Sequence, residues 1–176
     1  MSGVLENKIG ELTPRWLEIL DPPQAVAVTA MTTPGLLGLC LFDEQGIGKT
    51  LTTIAAFDIL YDKRETDTLI VVCPVTMMGG WVNEIERFLP TKYRIKVVEG
   101  TAEEKRSAVL SNFDVLVCNY EAVDSLRVPL KSVMSMKKAI LAVDESFNVK
   151  NQNASRSIAV KELRESCIKG FVMCGT

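Results

Sequence analysis

Short, nearly continuous apolar runs recur at Leu36 to Phe42, Leu69 to Cys73, Ile95 to Val98, Val115 to Cys118, Ala139 to Val143 and Phe171 to Cys174. Runs of this length read as strands, and strands apolar on both sides must be covered on both faces. The segments between them supply the cover. Leu51, Ile54, Ala55 and Ile59 repeat with helical period, and the stretches Gly80 to Phe88 and Ala102 to Leu110 behave alike. This alternation predicts βαβ units with right-handed crossovers, and hence an α/β three-layer sandwich around a mostly parallel sheet. Tyr61 to Thr68 and Asp124 to Lys131 are polar and read as surface connections.

A chain of 176 residues that is 47% hydrophobic is long enough for one sizeable core, and therefore for one domain. Within it, residues 1–35 read as an irregular or helical lead-in interrupted by Pro14, Pro22 and Pro23, and residues 36–176 carry the sheet. A net charge of -2 and a pI near 5.3 exclude a surface devoted wholly to phosphate backbones, although a local basic strip remains compatible. No run of about 18 apolar residues occurs. The start, Met1-Ser2-Gly3-Val4-Leu5-Glu6, has neither the basic nor the apolar part of a signal peptide. A soluble intracellular protein of cytoplasm or nucleus, without a membrane partner, is expected.

Cys40, Cys73, Cys118, Cys167 and Cys174 form no C-x-x-C pair and read as buried, reduced thiols. The chain has no histidine, so no zinc partner is expected. Hydrolytic chemistry would have to rest on carboxylates or on a metal ion.

Two constellations carry such chemistry. Asp43-Glu44-Gln45-Gly46-Ile47-Gly48-Lys49-Thr50 lies between an expected strand and an expected helix, the setting of a phosphate-binding loop. Glycines let backbone N–H groups approach phosphate, Lys49 supplies charge to the β and γ phosphates of ATP, and the Thr50 hydroxyl is a Mg2+ ligand. The strict pattern asks for glycine where Asp43 stands, and a glycine-rich turn that merely caps a helix is the plainer alternative. The second constellation, Asp144-Glu145, ends the run Ala139 to Val143, where open parallel sheets place their ligands. Asp144 would hold Mg2+ through its water shell, and Glu145 would orient or deprotonate the attacking water. Alternatively, the pair caps the next helix.

In order along the chain, these segments resemble the first RecA-like lobe of the Swi/Snf-type branch of superfamily-two helicases, DNA translocases that include chromatin remodellers. The family's loop reads D-E-x-G-x-G-K-T, as Asp43 to Thr50 does, so Asp43 in place of glycine is a family trait. Leu20-Asp21-Pro22-Pro23-Gln24 is similar to L-x-P-x-Q, which implies that Gln24 contacts adenine. Cys73 to Phe88 resembles P-x-S-L-L-x-x-W-x-x-E-x-x-[KR]-F, a segment that lies against a DNA strand in the family. That resemblance implies a phosphate contact from Thr76, with Trp81 and Phe88 packing the helix. Val117-Cys118-Asn119-Tyr120-Glu121 resembles T-x-Y-E, also near the DNA path, and so nominates Asn119 and Tyr120 as DNA contacts. Asp144 to Arg156 is similar to D-E-x-H-x-[IL]-K-N-x-x-[ST]-[KR], with Phe147 where the family has the histidine that couples its nucleotide site to the last motif.

Met173-Cys174-Gly175-Thr176 resembles the start of that last motif, T-G-T-P, so the sequence reads as a lobe cut at its final motif from a larger motor. In the family, ATP lies between two RecA-like lobes and the second lobe supplies arginines. The resemblance therefore implies a second lobe in cis or in trans, a double-stranded DNA backbone as partner, and negligible hydrolysis by this chain alone, since losing an arginine finger costs about 10³–10⁵ in rate. A P-loop enzyme of another class, a kinase or switch GTPase, would have no reason to carry the Pro74 to Phe88 pattern. A degenerate lobe retained as a protein or DNA interaction module would keep the fold and lose the catalysis.

Overall fold

A computed structural model describes residues 12–43, 48–144 and 155–175 of the chain. Its strands are β1 (Gly38–Asp43), β2 (Thr68–Val72), β3 (Ile95–Val97), β4 (Val115–Cys118), β5 (Ala139–Val143) and β6 (Lys169–Gly175). They form one sheet in the order β1-β6-β5-β2-β4-β3, and every pairing is parallel. β2, β4 and β5 are buried along their whole length, which is why they appear in the sequence as unbroken apolar runs.

The helices are α1 (Pro14–Ile19), α2 (Pro22–Thr32), α3 (Lys49–Asp62), α4 (Val75–Phe88), α5 (Ala102–Leu110), α6 (Tyr120–Ser125), α7 (Arg127–Met134) and α8 (Ser155–Glu165). Alternate strand residues feed two cores. Leu69, Val71, Val117, Ala142 and Met173 pack beneath α1 to α4, whereas Ile70, Val72, Leu116, Leu141 and Val143 pack beneath α5 to α8. Period-two side chains on a doubly covered sheet produce this division, and the result is the expected three-layer sandwich.

Several local outcomes differ from the sequence reading. Pro14, Pro22 and Pro23 do not interrupt structure; they occupy the first turns of α1 and α2, where the missing N–H costs nothing. Asp124 to Lys131 is not a surface connection but the end of α6 and most of α7. Pro129 is tolerated there because it lies in the first turn of α7, and the helix is held by burying Leu130 and Met134 one turn apart. Likewise, α3 runs on to Asp62 and stops in a Schellman turn, with Arg64 N–H to Tyr61 O and Glu65 N–H to Leu60 O both at 2.9 Å. Arg64 takes the left-handed position at φ 59°, usually given to glycine. Helix α4 starts at Val75, five residues before the expected Gly80. Cys73, Cys118 and Cys167 are buried as expected, but Cys174 is only half-buried and Cys40 is exposed. Cys40 sits on edge strand β1, which pairs on one side only, with β6, among the described residues.

The lead-in shares the first core. Trp16 is fully buried, and its indole N–H donates to Asp58 of α3 at 2.8 Å. Tyr93 Oη and Lys92 Nζ each donate to the other Asp58 oxygen at 2.7 Å. One buried carboxylate thus ties α1, α3 and the turn before β3 together.

Candidate nucleotide site at the carboxyl edge of the sheet

In a parallel sheet every βα turn opens at the same edge. Here Gly48 follows β1, Thr76 follows β2, Asn119 follows β4 and Asp144 follows β5. Strand spacing of about 4.8 Å puts the ends of β1 and β5 roughly 10 Å apart across β6, with β2 and β4 beyond. Of the expected nucleotide residues, Gly48 and Lys49 thus lie on one side of Asp144, while the expected DNA residues Thr76 and Asn119 lie on the other. Gly46, Ile47, Glu145 and Phe147 fall outside the described residues.

Gly48 is the N-cap of α3 at φ 74°, ψ 34°, the left-handed region that favours glycine. A Cβ at this position would meet Gln24 Nε2 at 2.4 Å. Gln24, 24 residues upstream, therefore rests directly on Gly48, and any side chain there would displace it. Its carboxamide oxygen accepts the Asp21 backbone N–H at 3.0 Å, which caps α2 and fixes the side chain. Lys49 and Thr50 open α3 and are half-buried. The Thr52 and Thr53 hydroxyls donate back to the carbonyls of Gly48 and Lys49 at 3.1 and 3.0 Å, so this first turn is doubly fastened.

Asp144 is 6% exposed. Its N–H donates to Val72 O at 2.8 Å and extends the β5–β2 ladder by one residue. Its Oδ2 accepts the Trp81 indole N–H at 2.9 Å, and its carbonyl accepts the Tyr120 hydroxyl at 2.5 Å. Nearby Cys73 is pushed up to about 12, first by burial and then by the Asp144 charge, and stays a thiol.

Thr76 is exposed in the first turn of α4, beside Val75, which is 62% exposed. Asn119 is half-buried, and its Oδ1 caps α6 by accepting the Ala122 N–H at 2.7 Å. Tyr120 requires a correction: at 2% exposure, with its hydroxyl on Asp144, its side chain belongs to the core and offers no surface to DNA. The hydrogen bonds from Trp81 and Tyr120 to Asp144 were not foreseen. They join residues 63 and 24 positions apart, and no local spacing signals them.

Residues 24–172 match the model of the SNF2-related domain. Among curated proteins, the chain is 33% identical over 150 residues to the mouse chromodomain-helicase-DNA-binding protein 1-like, which covers 79% of this chain and 15% of that protein. It is 32% identical over 126 residues to the ISWI chromatin-remodeling complex ATPase CHR11 of Arabidopsis thaliana, covering 68% of this chain and 12% of that protein. Among solved structures, the Sulfolobus solfataricus SWI2/SNF2 ATPase core in complex with double-stranded DNA superposes with a TM-score of 0.74 at 29% identity, over 89% of this chain and 32% of that one. The chain therefore spans a small part of the length of its curated relatives and about a third of the archaeal core.

Proposed function

The chain belongs to the SNF2-related domain family, and from that premise we propose that it is the nucleotide-binding lobe of an ATP-driven DNA translocase that hydrolyses ATP to ADP and phosphate. The observation that carries this reading is the carboxyl edge itself. A left-handed glycine heads α3 with Gln24 packed on it, and a buried carboxylate stands two strands away. These residues fit ATP with Mg2+: Gly48 holds the left-handed turn that leads into the positive end of α3, and Asp144 is an oxygen donor of the kind Mg2+ takes.

In this reading the N–H groups of the first turn of α3 receive phosphate oxygens at the positive end of the helix. Lys49 neutralises the β and γ phosphates, with the loop residues Gly46 and Ile47 completing the cradle, and Gln24 contacts the adenine. Thr50 and Asp144 would hold Mg2+, which supplies charge neutralisation at the phosphoryl group. Glu145 takes the proton from the attacking water.

The arginines that complete the site belong to a second RecA-like lobe, in cis or in trans. Closure of two lobes would step the whole protein along duplex DNA, with Thr76 and Asn119 facing the backbone. The archaeal neighbour's complex with double-stranded DNA supports this last element.

The test is binding of a fluorescent ATP analogue with Mg2+ by wild type, Lys49→Ala and Asp144→Ala. Saturable binding by wild type that both substitutions abolish is the expected result. Equal binding by all three would overturn the assignment, and turnover by this chain at two-lobe rates would overturn the need for a partner lobe.

A further inference from the structure

Asp144 is anchored from the two helices that begin on the far side of it. The Trp81 indole of α4 bonds its carboxylate, and the Tyr120 hydroxyl of α6 bonds its carbonyl. The second bond fixes main chain, which the sheet already holds through Val72. The first bond acts on the part of the residue that the sheet leaves undetermined, because the terminal torsion of an aspartate is broad.

Trp81 is 1% exposed and Asp144 6%, so bulk water has little access to replace the bond. An indole N–H is a donor only and carries no charge. It can orient a carboxylate without competing with a cation for it, as a lysine or arginine would. A carboxylate has about four acceptor positions, and the indole bond takes one of them. Packing alone would be served by phenylalanine at position 81; the polar atom of the indole is what packing does not require.

We infer that Trp81 is a positioning residue for the metal site: its indole N–H sets the orientation of the Asp144 carboxylate and thereby the affinity for Mg2+-bound nucleotide. This rests on the reading of Asp144 as the Mg2+ holder. It makes α4 a mechanical link, since the helix that presents Thr76 outward also holds the metal-binding carboxylate inward.

The chain contains two tryptophans, hence two indole N–H signals in a 1H–15N spectrum, with Trp16 on Asp58 and Trp81 on Asp144. Trp16→Phe tells them apart. Titrating the full chain with a non-hydrolysable ATP analogue should move the Trp81 signal when Mg2+ is present, well beyond any change without Mg2+, and leave that of Trp16 in place. In Trp81→Phe the ratio of analogue affinities with and without Mg2+ should fall about 10–100-fold, the usual cost of losing a partner of a metal ligand. If Trp81→Phe fails to fold, the wild-type signal decides. Asp144→Ala separates the two readings. If it keeps the wild-type Mg2+ dependence, or if wild type shows none at millimolar analogue, Asp144 is not the metal holder and both readings fall. If Asp144→Ala loses the dependence while the Trp81 signal stays still, or while folded Trp81→Phe keeps the wild-type ratio, only this inference is overturned.

Discussion

Replacing Asp58 by alanine removes the acceptor for three donors at once. The Trp16 indole is fully buried and Tyr93 is 8% exposed, so both would be stranded, whereas the Lys92 ammonium can turn to Asp62, which it already bonds at 2.8 Å. A buried donor left unsatisfied costs about 1–3 kcal/mol, so the two strandings together cost roughly 2–6 kcal/mol. Against the 5–15 kcal/mol by which domains are usually stable, this is a large fraction. With a urea m-value of about 2 kcal/mol/M, the unfolding midpoint should fall by roughly 1–3 M. Urea titration followed by circular dichroism measures it. Trp16→Phe takes one donor from Asp58, whose carboxylate keeps Tyr93 and Lys92, and should cost less, about 1–3 kcal/mol plus its packing change. A midpoint for Asp58→Ala within about 0.3 M of wild type, equivalent to well under 1 kcal/mol, would mean that the network does not hold α1 to α3.

Gly48→Ala should fold with a modest penalty, about 1–2 kcal/mol for a left-handed alanine, and should lose nucleotide-analogue binding as its Cβ displaces Gln24; unchanged binding would dissociate Gln24 from the site. The Arg94 guanidinium, bonded to Asp114 at 2.6 and 2.8 Å, holds that carboxyl below its ordinary 3.8. A carboxyl lowered on folding stabilises above its unfolded value, and this contribution is lost as the pH falls through the lower folded one. Asp114→Asn should therefore flatten the acid limb of the stability profile below pH 3.8, as thermal melts across that range would show.

The strands were legible because burial on both faces leaves a plain signal. Ala139–Val143 and Val115–Cys118 appear in the structure with the bounds read from the sequence. Helix α7 was not legible: its surroundings are polar, it contains Pro129, and two buried residues one turn apart make too small an apolar face to register. At the site, Gly48, Lys49 and Asp144 could be placed on strand ends from local pattern alone, which a parallel sheet then converges at one edge. What converged with them could not be read. The packing of Gln24 on Gly48 and the bond from Trp81 to Asp144 depend on how helices cross the sheet, and a tyrosine beside a strand end looks the same whether its ring faces solvent or core.

The contact between Gln24 and Gly48 also bears on how the chain can be divided. The turn between α2 and β1 is exposed at Pro34, Gly35 and Leu37, the kind of place a protease enters first. Yet the fragment before it contributes Trp16, Val28 and Met31 to the common core, with the aliphatic side chains worth about 1.5–3 kcal/mol each, and Lys169 grips the carbonyls of Thr33 and Leu36 at 3.0 and 2.6 Å. A nick there would cut the backbone without parting the pieces. The lead-in would remain seated as a noncovalent complement, and separately made halves should reassemble with the glutamine back over the loop.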